Sequence, residues 1–251
     1  MKKTLIMLAA AMLCVSAAAQ VKGVRVFPED PVSPALENYF SPCTGAEVAP
    51  LADGFIQRWA LLDPIAKPEI RSNTLFTDTW LRNEFAKEYF EGQNTILPKD
   101  GQKVTLYETA KLPGDTQKVK LNKKAKLVWH WFDATRYNVK LYRFATGLGL
   151  RPTEGLFLAV TVINCPEDMT VRMAVGSNSA SMWWLDGEEV ILLSGDRRMV
   201  VDDCVSKEIT LKKGKNVLRG AVINGPGMSD FCVRFLDKAG KPVTNFTVSN
   251  Q

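Results

Sequence analysis

Past residue 150 apolar and polar positions alternate. Val171, Met173 and Val175 share one face of Met169–Val175, and Phe231, Val233 and Phe235 share one face of Asp230–Leu236. That two-residue period marks strands with one face buried. Leu127–Phe132, Val139–Phe144 and Leu156–Asn164 are rich in aromatic and β-branched residues and are predicted as strands too. Met182–Leu185, Asp186-Gly187 and Glu188–Leu193 have the form of a hairpin with a type I′ turn, whose central residues must accept positive φ. Ile209–Leu211 and Asn216–Ile223, around Lys213-Gly214-Lys215, form a second hairpin-like unit. Short strands with a turn signal about every 8–12 residues predict an antiparallel jelly-roll β-sandwich.

The first half reads differently. Residues 1–19 have the three parts of a signal peptide: Lys2 and Lys3, the apolar stretch Thr4–Val15, and Ala17-Ala18-Ala19 before a cleavage point at Gln20. The apolar stretch is shorter than the roughly 20 residues a membrane span needs. The mature chain is therefore expected in the periplasm or outside the cell. Residues 20–54 carry Pro28, Pro31, Pro34, Pro42 and Pro50 and no period, which predicts an extended arm. Trp80, Leu81, Phe85, Tyr89 and Phe90 recur at near-helical spacing, with Asp78 or Thr79 as cap and Gly92 as stop, so one helix is expected over 80–90. This helix and the β-like run 54–65 give a small lobe over 55–126 before a sandwich over 127–248.

Composition is that of a globular chain, 46% hydrophobic and 24% charged. The formal net charge of +5 includes lysines clustered at Lys118–Lys126 and Lys212–Lys215. Such clusters can serve nucleic acid, but at strand edges and turns lysines also block edge-to-edge pairing, and an exported chain favours that second use. Cys43, Cys165, Cys204 and Cys232 remain after cleavage. They permit two disulfides in an oxidising compartment or four free thiols, and their scattered spacing argues against zinc.

The chemistry is sparse. His130 is the only histidine, between Trp129 and Trp131, and no G-x-S-x-G elbow presents a serine. A serine or cysteine hydrolase would rest on His130 alone, which reads better as a packed or hydrogen-bonded residue. Asp202-Asp203 and Glu188-Glu189 are neighbours along the chain, and neighbours on a strand face opposite ways, so neither pair converges on one glycosidic bond. No catalytic residue and no metal ligand is assigned; Asp202, Asp203 and Asp230 leave calcium open. Binding is better served. Trp183 shares parity with Leu185, which sets Trp184 on the opposite face, either as a platform for a sugar ring or packed beneath the N-terminal lobe. Arg197, Asp203 and Asn224 in nearby loops complete the candidate ligand-binding set.

Four segments follow in order: Gly176-Ser177-Asn178, Trp184 to Val190, Leu211 to Leu218, and Phe231 to Phe235. Together they resemble the galactose-binding-like β-sandwich domains attached to polysaccharide-degrading enzymes of gut Bacteroidetes, including acetylxylan-esterase-type proteins. Trp59 to Pro64 resembles the W-x-L-L-G-P segment found before such sandwiches, with Asp63 in the usual glycine position. The likeness covers roughly 55–243, and no hydrolase domain is expected after it. The resemblance implies a non-catalytic protein that binds a plant-type polysaccharide or oligosaccharide. Its alternatives are a carbohydrate esterase and a docking subunit of a separate glycan hydrolase.

Overall fold

The computed structural model describes residues 36–70, 77–116, 118–195 and 197–251. The signal peptide and the start of the proline-rich arm lie outside the described residues. The alternation found in the sequence becomes thirteen strands among the described residues. The first five are β1 (Phe40–Pro42), β2 (Arg58–Leu62), β3 (Ile65–Ala66), β4 (Lys103–Tyr107) and the long β5 (Leu121–Ala134). Then come β6 (Gly155–Cys165), β7 (Met169–Ser177), β8 (Ser181–Leu185) and β9 (Glu188–Leu193). The last four are β10 (Cys204–Leu211), β11 (Gly214–Asn224), β12 (Phe231–Leu236) and β13 (Thr247–Ser249). Ten of them form one antiparallel sheet along the path β1-β5-β2-β6-β11-β8-β9, with β13 and β3 on β6 and β4 on β5. The second sheet has the order β10-β7-β12. From β6 onward the chain passes back and forth between the two, as a β-sandwich of crossed connections requires.

The predicted hairpin at Asp186-Gly187 is present, with φ of 50° and 87° at the two turn residues. The inward faces also match the alternation: Val171, Met173, Val175, Phe231, Val233 and Phe235 all lie in the core between the sheets. There Trp59, Trp183 and Phe231 meet edge to face, with ring centroids 4.9–5.9 Å apart. Each indole N–H is satisfied locally, Trp59 Nε1 by Ile56 O and Trp183 Nε1 by Ser181 Oγ, both at 3.0 Å. Gly220 lies opposite Trp183 in the β11–β8 register, and a Cβ there would stand 2.3 Å from the indole ring.

Three local expectations are corrected. The helix over 80–90 is α1 (Asp78–Phe85), capped by Thr77, whose hydroxyl accepts from Trp80 N, and it stops a turn early. Tyr89 and Phe90 are nonetheless buried, because the following irregular chain lies on the same apolar surface. Val139–Phe144 is not a strand: it leads into α2 (Leu141–Gly147), which buries Leu141, Phe144 and Ala145. Their i, i+3, i+4 spacing outweighs the strand preference of the aromatic and branched residues. Finally β2 is an interior strand of the large sheet, between β5 and β6, rather than part of a separate lobe. The described residues, from 36 to 251, fall in one compact unit.

The large sheet therefore has two covered faces. The small sheet covers one. The other, carrying Ala60, Leu62, Trp129, Leu156, Leu158, Met182, Ala221 and Ile223, is covered by α1 and the irregular chain that follows it. Among the described residues no helix is long and apolar enough to cross a membrane.

Candidate functional site

Strand parity decides which side chains reach the second face. Trp183 is buried in the sandwich core, and Trp184 points the other way, half-buried, with its ring edge-on to Phe85 of α1 at 6.1 Å. Beside it runs a cleft of ≈ 430 Å³ between the sheet and the α1 segment. Phe85, Tyr89, Trp129, Leu158, Met182 and Trp184 supply its apolar wall, and Arg82, Lys87, Glu189 and Arg219 its charges. A concave, mainly apolar surface with a few convergent polar groups is the usual form of a small-molecule site.

The charges are not equivalent. Arg82 is paired with Glu189, Nη2 to Oε1 at 2.8 Å. Lys87 is paired with Glu84 at 2.6 Å. Glu84 also accepts from Lys67 at 2.5 Å and from the Tyr89 hydroxyl, while Lys67 reaches Glu69 as well. Burial opposes the charges on Glu84 and Lys67, but these hydrogen bonds outweigh it, lowering the Glu84 pKa and raising that of Lys67. This network ties α1 to the chain just after β3.

Arg219 is different. It enters the same face from β11, where its Nη2 donates to Ile96 O at 2.6 Å. Its Nη1 is buried and has no partner. No carboxylate among the described residues reaches it, and burial alone pushes its pKa down to about 10. The contrast with Arg58 is direct. That buried guanidinium makes a two-pronged bond to Asp133 at 2.8 Å and donates to the Thr44 and Gly45 carbonyls, and its hydrogen bond to Asp133 raises its pKa. The Trp129 indole N–H is also buried without a partner, and Trp129 lines the same cleft. These two are the orphaned buried side-chain N–H donors among the described residues.

The four residues singled out from sequence are not brought together. Trp184 lines the cleft. Arg197 and Asp203 pair with each other in the β9–β10 connection, Nε to Oδ2 at 3.0 Å. Asn224 is buried, and its amide donates to Pro152 O at 2.7 Å and Gly227 O at 3.0 Å, holding loops in place. The carboxylates that left calcium open each have a cation of their own: Asp202 pairs with Arg234, Asp203 with Arg197 and Asp230 with Lys140. Among the described residues no three His, Cys, Asp or Glu side chains gather as a metal site would need. His130 Nε2 lies 2.9 Å from Asp63 Oδ1, on the sheet face opposite Trp129, with its ring parallel to Phe132. A carboxylate only accepts, so Nε2 carries the proton. Asp63 Oδ2 accepts from Val128 N, which explains why a carboxylate suits this position.

The four cysteines among the described residues are free thiols. Cys204 and Cys232 flank β7 on opposite sides, in register with Val175 and Gly176. Burial pushes the thiols of Cys43 and Cys232 up to about 12 and that of Cys165 to about 11, so at neutral pH they are protonated and weakly nucleophilic.

Arg219 and Trp129 are the residues sequence reasoning missed. A signal existed for both: Arg219 interrupts the apolar run from Val217 to Ile223, and Trp129 has the parity opposite His130.

No protein-family profile matches the chain, and no curated protein does. Among solved structures, a β-glucosidase from Kluyveromyces marxianus in complex with glucose matches over 43% of this chain and 14% of its own, with 21% identity and a TM-score of 0.32. A selenomethionine-labelled form of that enzyme matches over 43% and 12%, with 20% identity and a TM-score of 0.30. The chain thus spans a small part of these proteins, and an overlap this loose carries no argument about activity.

Proposed function

We propose that this is an exported accessory protein that binds a polysaccharide or oligosaccharide in the cleft between the large sheet and α1, without catalysing its breakdown. The observation that carries the reading is the cleft wall. Trp184, held edge-on by Phe85, lines it with Tyr89, Met182 and paired charges. Flat aromatic faces pack against sugar C–H groups, while charged and amide groups read the hydroxyls. The motifs that resemble galactose-binding-like domains support the word polysaccharide, and residues 1–19 support export. The non-catalytic part rests on placement. His130 is on the opposite face and is engaged by Asp63, and the cleft carboxylate Glu189 is engaged by Arg82.

The test is calorimetric titration of the chain from residue 20 against plant oligosaccharides, run beside an acetyl-ester hydrolysis assay. Binding by at least one glycan, weakened by Trp184→Ala, is expected, with no hydrolysis. Ester hydrolysis abolished by His130→Gln would establish the esterase reading instead.

A further inference from the structure

We infer that the cleft is selective for an acidic sugar, a uronic-acid residue whose carboxylate is received by Arg219. The inference rests on the glycan reading of the same cleft and adds the ligand's charge. Three observations meet there. Nη1 of Arg219 is buried without a partner, and Nη2 has one neutral partner, Ile96 O. A desolvated cation in that state is poorly stabilised, and an anion that arrives with the ligand restores what water no longer supplies. Next, the two orphaned buried N–H donors both belong to residues lining this cleft, so the polar need there is for an acceptor. Lastly, of the cations on the wall Arg82 is paired with Glu189 and Lys87 with Glu84, and among the described residues Arg219 has no carboxylate partner.

Arg58 shows that the fold can satisfy a buried arginine completely where its role is structural. If Arg219 served only to hold the Ile96 carbonyl, one donor would suffice and the charge would be a burden. A planar guanidinium suits a carboxylate because its two N–H groups match the two oxygens. Arg219 remains protonated at neutral pH even with its pKa pushed down to about 10, so the complementarity holds whenever the uronate is ionised.

The experiment compares three probes on the same protein by titration calorimetry: an oligogalacturonide, its carboxyl-reduced neutral counterpart, and inorganic sulfate. The acidic oligosaccharide should bind about tenfold or more tighter than the reduced one, as expected for a charge-assisted bond. Arg219→Gln should remove that preference while binding of the neutral sugar persists, and Trp184→Ala should weaken both sugars. Arg219→Lys, which keeps the charge and loses the fork, should retain part of the preference. The acid-to-neutral ratio in the unaltered protein decides the matter even if a variant does not fold. Equal binding of the two sugars overturns the acidic selectivity and leaves the glycan reading standing. Sulfate binding that depends on Arg219, with no sugar bound, makes the cleft a simple anion site and overturns both. Binding by none of the probes or of the wider plant panel removes the glycan reading and this inference with it.

Discussion

The two faces of the large sheet are built by opposite means. One is closed by a second sheet, and its core is aliphatic and aromatic throughout, with both indole N–H groups satisfied within three residues of chain. The other is closed by a two-turn helix and an irregular chain, which leaves a cleft, a buried ionic network and two unpartnered donors. A sheet laid on a sheet repeats its spacing and excludes voids; a helix followed by loops does not, and must be fastened by particular bonds. Glu84 to Lys67 and Arg219 to Ile96 are those fastenings. The closed face specifies the fold, and the fastened face has room for a ligand.

The closed face should be the more fragile to a change in volume. Trp183→Ala removes a side chain with no exposure at all and should cost about 3–5 kcal/mol in urea unfolding, as large-to-small core changes do. Gly220→Ala should also be costly, since its Cβ would meet the Trp183 ring at 2.3 Å. The two changes should be non-additive: once the indole is gone the added methyl has space. Additive losses would mean that the ring can move aside.

This division also decides what was legible beforehand. Alternation exposed the closed face almost residue by residue, because a strand between two sheets must present every second side chain inward. It identified Phe231, Val233 and Phe235 and separated Trp183 from Trp184. The fastened face gives no periodic signal. Lys67 is remote along the chain from Glu84 and Tyr89 and meets them only when α1 docks, so nothing in the spacing pairs them. Local propensity failed at Leu141–Gly147 for a related reason: burial of three residues at helical spacing on the sandwich outweighs a strand-like composition. Loop polarity likewise pointed to Arg197, Asp203 and Asn224, whose polar groups are taken up by one another or by loop carbonyls.

The fastened face should be fragile to charge instead. Glu84→Leu leaves Lys67 buried beside Tyr89 without its inner carboxylate and should cost about 3–5 kcal/mol; Lys67→Met/Glu84→Leu together should recover most of it. Equal losses in single and double variants would show that the network contributes no specific pairing. The same carboxylate sets an acid limit. Its pKa is lowered from 4.5 in the folded chain, so the unfolded chain binds the proton more readily. The stabilisation is complete above the unfolded value and is lost as pH falls through the lowered one. Urea midpoints should therefore decline below about pH 4.5, and more steeply than in Glu84→Gln.

The smallest effect on stability should come from Trp184, and it sharpens the comparison most. The residue is next to Trp183 in sequence and identical in chemistry, but it faces the cleft rather than the core. Its contact with Phe85 is a single edge-to-face pair, of the kind that contributes about 0.5–1.5 kcal/mol beyond area burial. Trp184→Ala should thus lower stability by about 1–2 kcal/mol, well short of the loss at Trp183. Glycan affinity should behave in the reverse order, falling about tenfold or more, because a residue central to a ligand contact acts mainly in the complex. Urea unfolding and titration calorimetry on the one variant read both quantities. If Trp184→Ala destabilises as much as Trp183→Ala and leaves binding of the best glycan unchanged, Trp184 is part of the packing that fastens α1. The ligand surface must then be sought elsewhere along the cleft wall.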